Sequence, residues 1–142
     1  MSAVLVNEQR IKDIDESPYP FVHSHTFSGN ALGVAAANAT LSVIESKRLC
    51  ERALEIEGVM KKGMLHIAKT TGAITNIRSI GAICAAEIIN PKFIKQTFIN
   101  NAVKRGVFLR PIENTLYWMP PLTSTDKELR DMTEKTLRAL IG

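Results

Sequence analysis

Ala73-Ile-Thr-Asn-Ile-Arg-Ser-Ile-Gly-Ala-Ile-Cys-Ala-Ala-Glu-Ile-Ile89 is where the apolar pattern of this chain changes period. Before it, apolar residues recur at helical spacing. Within it, isoleucine, alanine and threonine alternate or cluster around Gly81, which predicts two short strands meeting at a glycine bend. Downstream, Asn90-Pro91 supplies an N-cap followed by a proline at the first helical position. Phe93, Ile94, Phe98, Ile99, Ala102 and Val103 then form one apolar face, and Gly106 closes it after the basic turn Lys104-Arg105. Residues 107–110 and 115–119 read as strands around a Pro-Ile-Glu-Asn connection. Thr123-Ser-Thr-Asp126 predicts the cap of a last amphipathic helix with Leu129, Met132, Leu137, Leu140 and Ile141 inward.

Upstream, residues 31–46 are rich in alanine and leucine and apolar on most faces, the mark of a buried helix. A second helix is expected over about 47–70, with Leu49, Ala53, Ile56, Met60 and Ile67 inward and weak points at Gly58 and Gly63. The first 28 residues hold Pro18, Pro20 and scattered aromatics without sustained periodicity, and read as an extended arm that packs against something outside it. Strand pairs separated by single helices favour an α+β domain: a small antiparallel sheet with helices on one face, preceded by the arm and two long helices. The expected divisions are an extended interface arm over 1–28, connecting helices over 29–70 and the small α+β domain over 71–142.

The 142 residues are 45% hydrophobic and 23% charged, proportions of a globular chain that exclude a disordered or collagen-like one. The longest apolar stretch, residues 31–44, is interrupted by Asn38, Thr40 and Ser42 and falls short of the ~20 residues needed to span a bilayer. No membrane partner is expected, and no secretion signal is evident at the N-terminus. Cys50 and Cys84 form no disulfide framework or metal spacing, which suits packed thiols in a reducing cytoplasm. Charge is uneven. Residues 58–110 carry nine Lys/Arg against one Asp/Glu, whereas residues 1–57 carry five against eight and residues 111–142 four against five. The basic residues do not interleave with aromatics as a nucleic-acid stacking surface requires, so an anionic small molecule or an acidic neighbour explains them at least as well.

Three groups of residues are candidates for chemistry. His23 and His25 lie on one side of an extended segment, but no third ligand stands at metal spacing. Thr26-Phe-Ser-Gly-Asn30 puts hydroxyls and a glycine just before a helix start, which is either an anion site or a simple cap. Arg110 stands among Phe108, Leu109 and Ile112, where a guanidinium wants a carboxylate or phosphate; a neighbouring Glu113 is the alternative partner.

Together, His23-Ser-His-Thr-Phe-Ser-Gly-Asn-Ala-Leu-Gly-Val-Ala-Ala-Ala-Asn38 and Leu109-Arg-Pro-Ile-Glu-Asn-Thr-Leu-Tyr-Trp-Met-Pro-Pro121 resemble the C-terminal part of the class III, fold-type I aminotransferases, which depend on pyridoxal 5'-phosphate. The likeness runs from about Phe21 to the end. Arg-Pro followed by Tyr-x-Met-Pro-Pro most resembles the branch of that family that serves biotin synthesis. This implies amino transfer from S-adenosylmethionine to 8-amino-7-oxononanoate, with another omega-aminotransferase activity as the alternative. The resemblance implies that Thr26 reaches across a dimer interface to the cofactor phosphate of the partner subunit. It implies that Arg110 holds the substrate carboxylate and that Tyr117 faces the substrate. Ser24-His25-Thr26 stands where many of that branch read Gly-Pro-Thr. In the family, the lysine that forms the Schiff base and the carboxylate at the ring nitrogen lie upstream of the matching region. The expectation is therefore a fragment with no catalytic lysine of its own, inactive and without cofactor alone, that works as a homodimer or against a missing large domain. A non-catalytic carboxylate-binding or regulatory module is the competing reading.

Overall fold

The computed structural model describes residues 2–19, 21–89 and 93–142 and divides into two units, Met1–Lys47 and Arg48–Gly142. The first holds α1 (Glu8–Asp15) and α2 (Ala31–Ser46). Where the apolar pattern predicts only extended chain, α1 forms from local polar signals. The Asn7 side chain accepts from the Arg10 amide, and Glu8–Lys12 and Arg10–Asp13 pair along the helix. The expectation of a buried α2 is overturned within this chain. No residue of α2 is buried, and Leu32 is 83% exposed.

The second unit runs α3 (Leu49–Thr71), β1 (Ile74–Ile80), β2 (Ile83–Ile88), α4 (Lys95–Lys104), β3 (Thr115–Trp118) and α5 (Asp126–Ile141). Its sheet is antiparallel in the order β1-β2-β3, with Ile80 opposite Ile83 across the Gly81 turn and Cys84 opposite Trp118. Gly81 has a φ of +51°, a conformation cheap only for glycine. Glu57 of α3 fastens this turn, accepting from the Ser79 hydroxyl at 2.8 Å and the Gly81 amide at 2.7 Å. Helices α3 and α5 cover one face of the sheet. Ile56, Met60, Met64, Ile67, Cys84, Ala86, Leu116, Trp118 and Leu129 form the core between them.

Helix α3 passes through both glycines without a break, and Gly63 has a packing reason to be there. A Cβ at that position would collide with Thr133 Oγ1 and sit 3.3 Å from Trp118 Cζ3. The small residue thus lets α5 and the Trp118 ring approach α3. Helix α5 begins with the predicted cap, realised as a reciprocal capping box between Thr125 and Glu128. Its buried side includes Thr133 and Thr136, which the apolar pattern omits. Each hydroxyl donates to the carbonyl four residues back, so burial leaves neither unpaired. Ile141, expected inward, is exposed. Arg52 ties the start of α3 to that of α5, donating to the Ser124 carbonyl at 2.7 Å and to Asp126 at 3.1 Å.

Two further expectations change. Helix α4 starts at Lys95, and the predicted Asn90-Pro91 start lies outside the described residues. Residues 107–110 do not join the sheet. They keep a strand's alternation, with Leu109 and Pro111 buried and Phe108, Arg110 and Ile112 exposed, but only Ile112 and Thr115 bridge.

Candidate active-site cleft

Because residues 107–110 stand off β3, a cleft of about 640 Å³ opens between residues 106–110, residues 117–121 and the outer turns of α5. Arg110 and Tyr117 both line it. Arg110 is exposed, not enclosed by apolar neighbours as its sequence context suggests. Among the described residues no carboxylate lies at ion-pair distance from it, and Glu113, the alternative partner, is not paired with it. The other charges lining the cleft are engaged. Lys135 pairs with Asp131 at 2.6 Å, and Glu128 serves the α5 cap. The Thr125 amide and hydroxyl donate to the Glu128 carboxylate and hold its pKa below the ordinary carboxylate range. The guanidinium of Arg110 is therefore the cleft cation left over, and its planar fork suits a carboxylate.

Trp118 also lines the cleft, and sequence reasoning assigned it nothing. The ring is 1% exposed, and its Nε1–H has no hydrogen-bond partner among the described residues. The signal available was the alternation of 115–118, which puts Leu116 and Trp118 on the core side and Tyr117 on the other.

Thr26 lies in the first unit, in an exposed turn closed by the Ser28 amide on the His25 carbonyl and the His25 amide on Ser28 Oγ. The cap reading of the nearby helix start is what forms locally. The Asn30 side chain accepts from the Leu32 and Gly33 amides, so those donors are taken. The His23 and His25 rings meet edge to face with centroids 5.0 Å apart. Cys50 is exposed, contrary to the expectation of two packed thiols. Cys84 is buried, and burial pushes its thiol up to about 11, reinforced by Glu57 and opposed by Lys61. Cys84 therefore lacks the environment of a reactive thiolate.

The sequence profile of the family described as Aminotransferase class-III matches residues 1–140. This chain belongs to the class III aminotransferases. It is 32% identical over 138 residues to the adenosylmethionine-8-amino-7-oxononanoate aminotransferase of Geobacter sulfurreducens, covering 86% of this chain and 30% of that protein. It is 30% identical over 115 residues to the enzyme of the same name from Helicobacter pylori, covering 78% of this chain and 26% of the relative. An amine transaminase from an uncultivated Pseudomonas species, solved in its pyridoxal-phosphate-bound form, superposes with a TM-score of 0.84 at 22% identity, over 95% of this chain and 33% of that one. The chain thus spans about a quarter to a third of the length of these proteins.

Tested against the cofactor of that structural neighbour, the residues described here do not by themselves fit the group. Every described lysine is at least partly exposed, and no aspartate or glutamate is buried. Within this chain no described lysine is desolvated and no described carboxylate is enclosed, as the cofactor's amine and ring-nitrogen partners require. No described helix is long and apolar enough to cross a membrane.

Proposed function

We propose that this chain is the C-terminal portion of a pyridoxal-phosphate-dependent aminotransferase, the part that presents the substrate-carboxylate site. In this reading an N-terminal interface arm (1–28), which carries α1, and connecting helices (29–70) precede a small domain (71–142). The complete enzyme passes an amino group from S-adenosylmethionine to 8-amino-7-oxononanoate. The observation that carries the reading is the guanidinium of Arg110, exposed at the cleft it shares with Tyr117 and without a carboxylate partner among the described residues. Both curated relatives described above bear the name of that reaction, which favours it over other amine acceptors.

Within this division of labour, Arg110 binds the acid end of the acceptor through two parallel charge-assisted hydrogen bonds. Tyr117 adds a phenol that donates to the same carboxylate or orients the chain leading from it. Phe108 and Met119, both exposed, give apolar surface for a long methylene chain. Thr26 serves the cofactor phosphate of a partner subunit, which accounts for an arm carrying exposed Tyr19, Phe21 and Phe27. The enzyme works as a homodimer, or this chain associates with a large domain that supplies the reactive lysine. A cytoplasmic location accords with the free thiols.

The test is covalent trapping. The chain alone, mixed with pyridoxal phosphate and reduced with borohydride, is expected to give only scattered substoichiometric labelling of surface lysines. It is also expected to form no product from S-adenosylmethionine and 8-amino-7-oxononanoate. One stoichiometric adduct at a single lysine, accompanied by transamination, contradicts the proposal.

A further inference from the structure

The turn between residues 107–110 and β3 fixes a register that the structure does not use. Ile112 and Thr115 exchange two backbone hydrogen bonds, at 3.0 and 2.7 Å, across Glu113 and Asn114. Continuing that antiparallel register pairs Pro111 with Leu116, Arg110 with Tyr117, Leu109 with Trp118 and Phe108 with Met119. On the other side of β3, the Ile88 amide donates to Asn114, and Leu116 and Trp118 stand opposite Ala86 and Cys84. Antiparallel ladders alternate, so Leu116 and Trp118 direct their backbone groups at β2, while Tyr117 and Met119 direct theirs outward. Arg110 and Phe108 are the residues that would meet them. Pro111 falls opposite Leu116 at a position needing no amide hydrogen, so its missing donor does not oppose pairing. Leu109 is already buried on the core side, as this register requires. Among the described residues, the amides of Phe108, Leu109 and Arg110 have no backbone partner.

We propose that residues 107–111 are a strap that zips onto the free edge of β3 when a carboxylate is held at Arg110, adding a fourth strand and setting Arg110 beside Tyr117. Closure brings the two Cα atoms to about 5.5 Å on one face of the sheet, the spacing of a hydrogen-bonded antiparallel pair. One carboxylate then accepts from both the guanidinium and the phenol. In the open form no backbone ladder holds the two residues in register, so a ligand gripped by both side chains favours the closed form by its differential affinity. The inference rests on the carboxylate-binding reading of Arg110 and adds a conformational step to it.

Amide hydrogen exchange of the 142-residue chain tests it, with heptanoate as probe and 1-heptanol as its uncharged counterpart. Heptanoate is expected to slow exchange at Phe108, Arg110, Tyr117 and Met119 by about tenfold or more. The Leu109 amide, which faces away from β3 in this register, does not follow. Heptanol has no such effect, and in Arg110→Ala the heptanoate effect disappears. Binding of heptanoate at Arg110, seen by resonance shifts, without protection of those four amides overturns the strap and leaves the carboxylate site standing. Full protection of the four before any probe is added also overturns it. Absence of binding overturns both.

Discussion

Helices α2 and α5 are each sixteen residues long, and they have opposite fates. The more apolar one, α2, buries nothing. The more polar one, α5, buries Leu129, Thr133, Thr136, Leu137 and Ala139. Burial follows a stripe matched to a partner rather than total hydrophobicity. Helix α5 has one such stripe, against α3 and α4, with charges on the other side. Helix α2 is apolar around most of its circumference and has no complementary surface among the described residues of its own unit. The difference separates a part of the chain that makes its own core from a part whose apolar side chains stay exposed.

The contrast breaks first at the level of core truncation. Leu129→Ala is expected to cost about 2–5 kcal/mol of unfolding free energy, while Leu32→Ala in α2 changes it by less than about 0.5 kcal/mol. Denaturant titration followed by tryptophan fluorescence reports on the second unit through Trp118. Equal losses at the two positions would mean that α2 is already packed in the isolated chain.

Alkaline pH probes the closed core of the second unit through its two cysteines, one exposed and one buried. The Cys84 thiol is raised to about 11 in the folded chain from an ordinary value of 9.0. Its stabilising contribution is complete below the unfolded value and is lost as pH rises through 9 towards 11, amounting to about 2–3 kcal/mol at most. Thiol-reagent labelling at pH 8 should modify exposed Cys50 promptly and Cys84 only at the rate of unfolding. Comparable rates at both would contradict a closed core. A smaller effect of opposite signs is expected within α3. Gly63→Ala destabilises by about 1–3 kcal/mol because its methyl group meets Thr133 and Trp118. Gly58→Ala, with open space around it, stabilises by about 0.5–1 kcal/mol. Thermal denaturation of the two variants checks both signs.

The legible parts of the fold were those with local causes. The bend at Gly81 and the cap at Thr125 depend on residues within a few positions, and both form where the sequence places them. Helix α1 was missed because its signals are an N-cap and ion pairs, not apolar periodicity. The state of α2 and the pairing of residues 107–110 are relations between distant surfaces, which no window of sequence contains. In the latter case the alternation was real and the partner was not engaged. At the candidate site, the residue types of Arg110 and Tyr117 were readable. Their shared cleft depends on the turn at 112–115, and the burial of the Trp118 ring on the space left at Gly63. The family was legible from two motifs and is borne out by the profile match over residues 1–140.

Arg110 is proposed to stand ready for the carboxylate of a small substrate. Calorimetric titration of the chain with 8-amino-7-oxononanoate, compared with Arg110→Ala at equal folded stability, measures what the guanidinium contributes. The substitution is expected to weaken binding by about tenfold to a hundredfold, the worth of a charge-assisted pair. Equal affinity in the two proteins would contradict it.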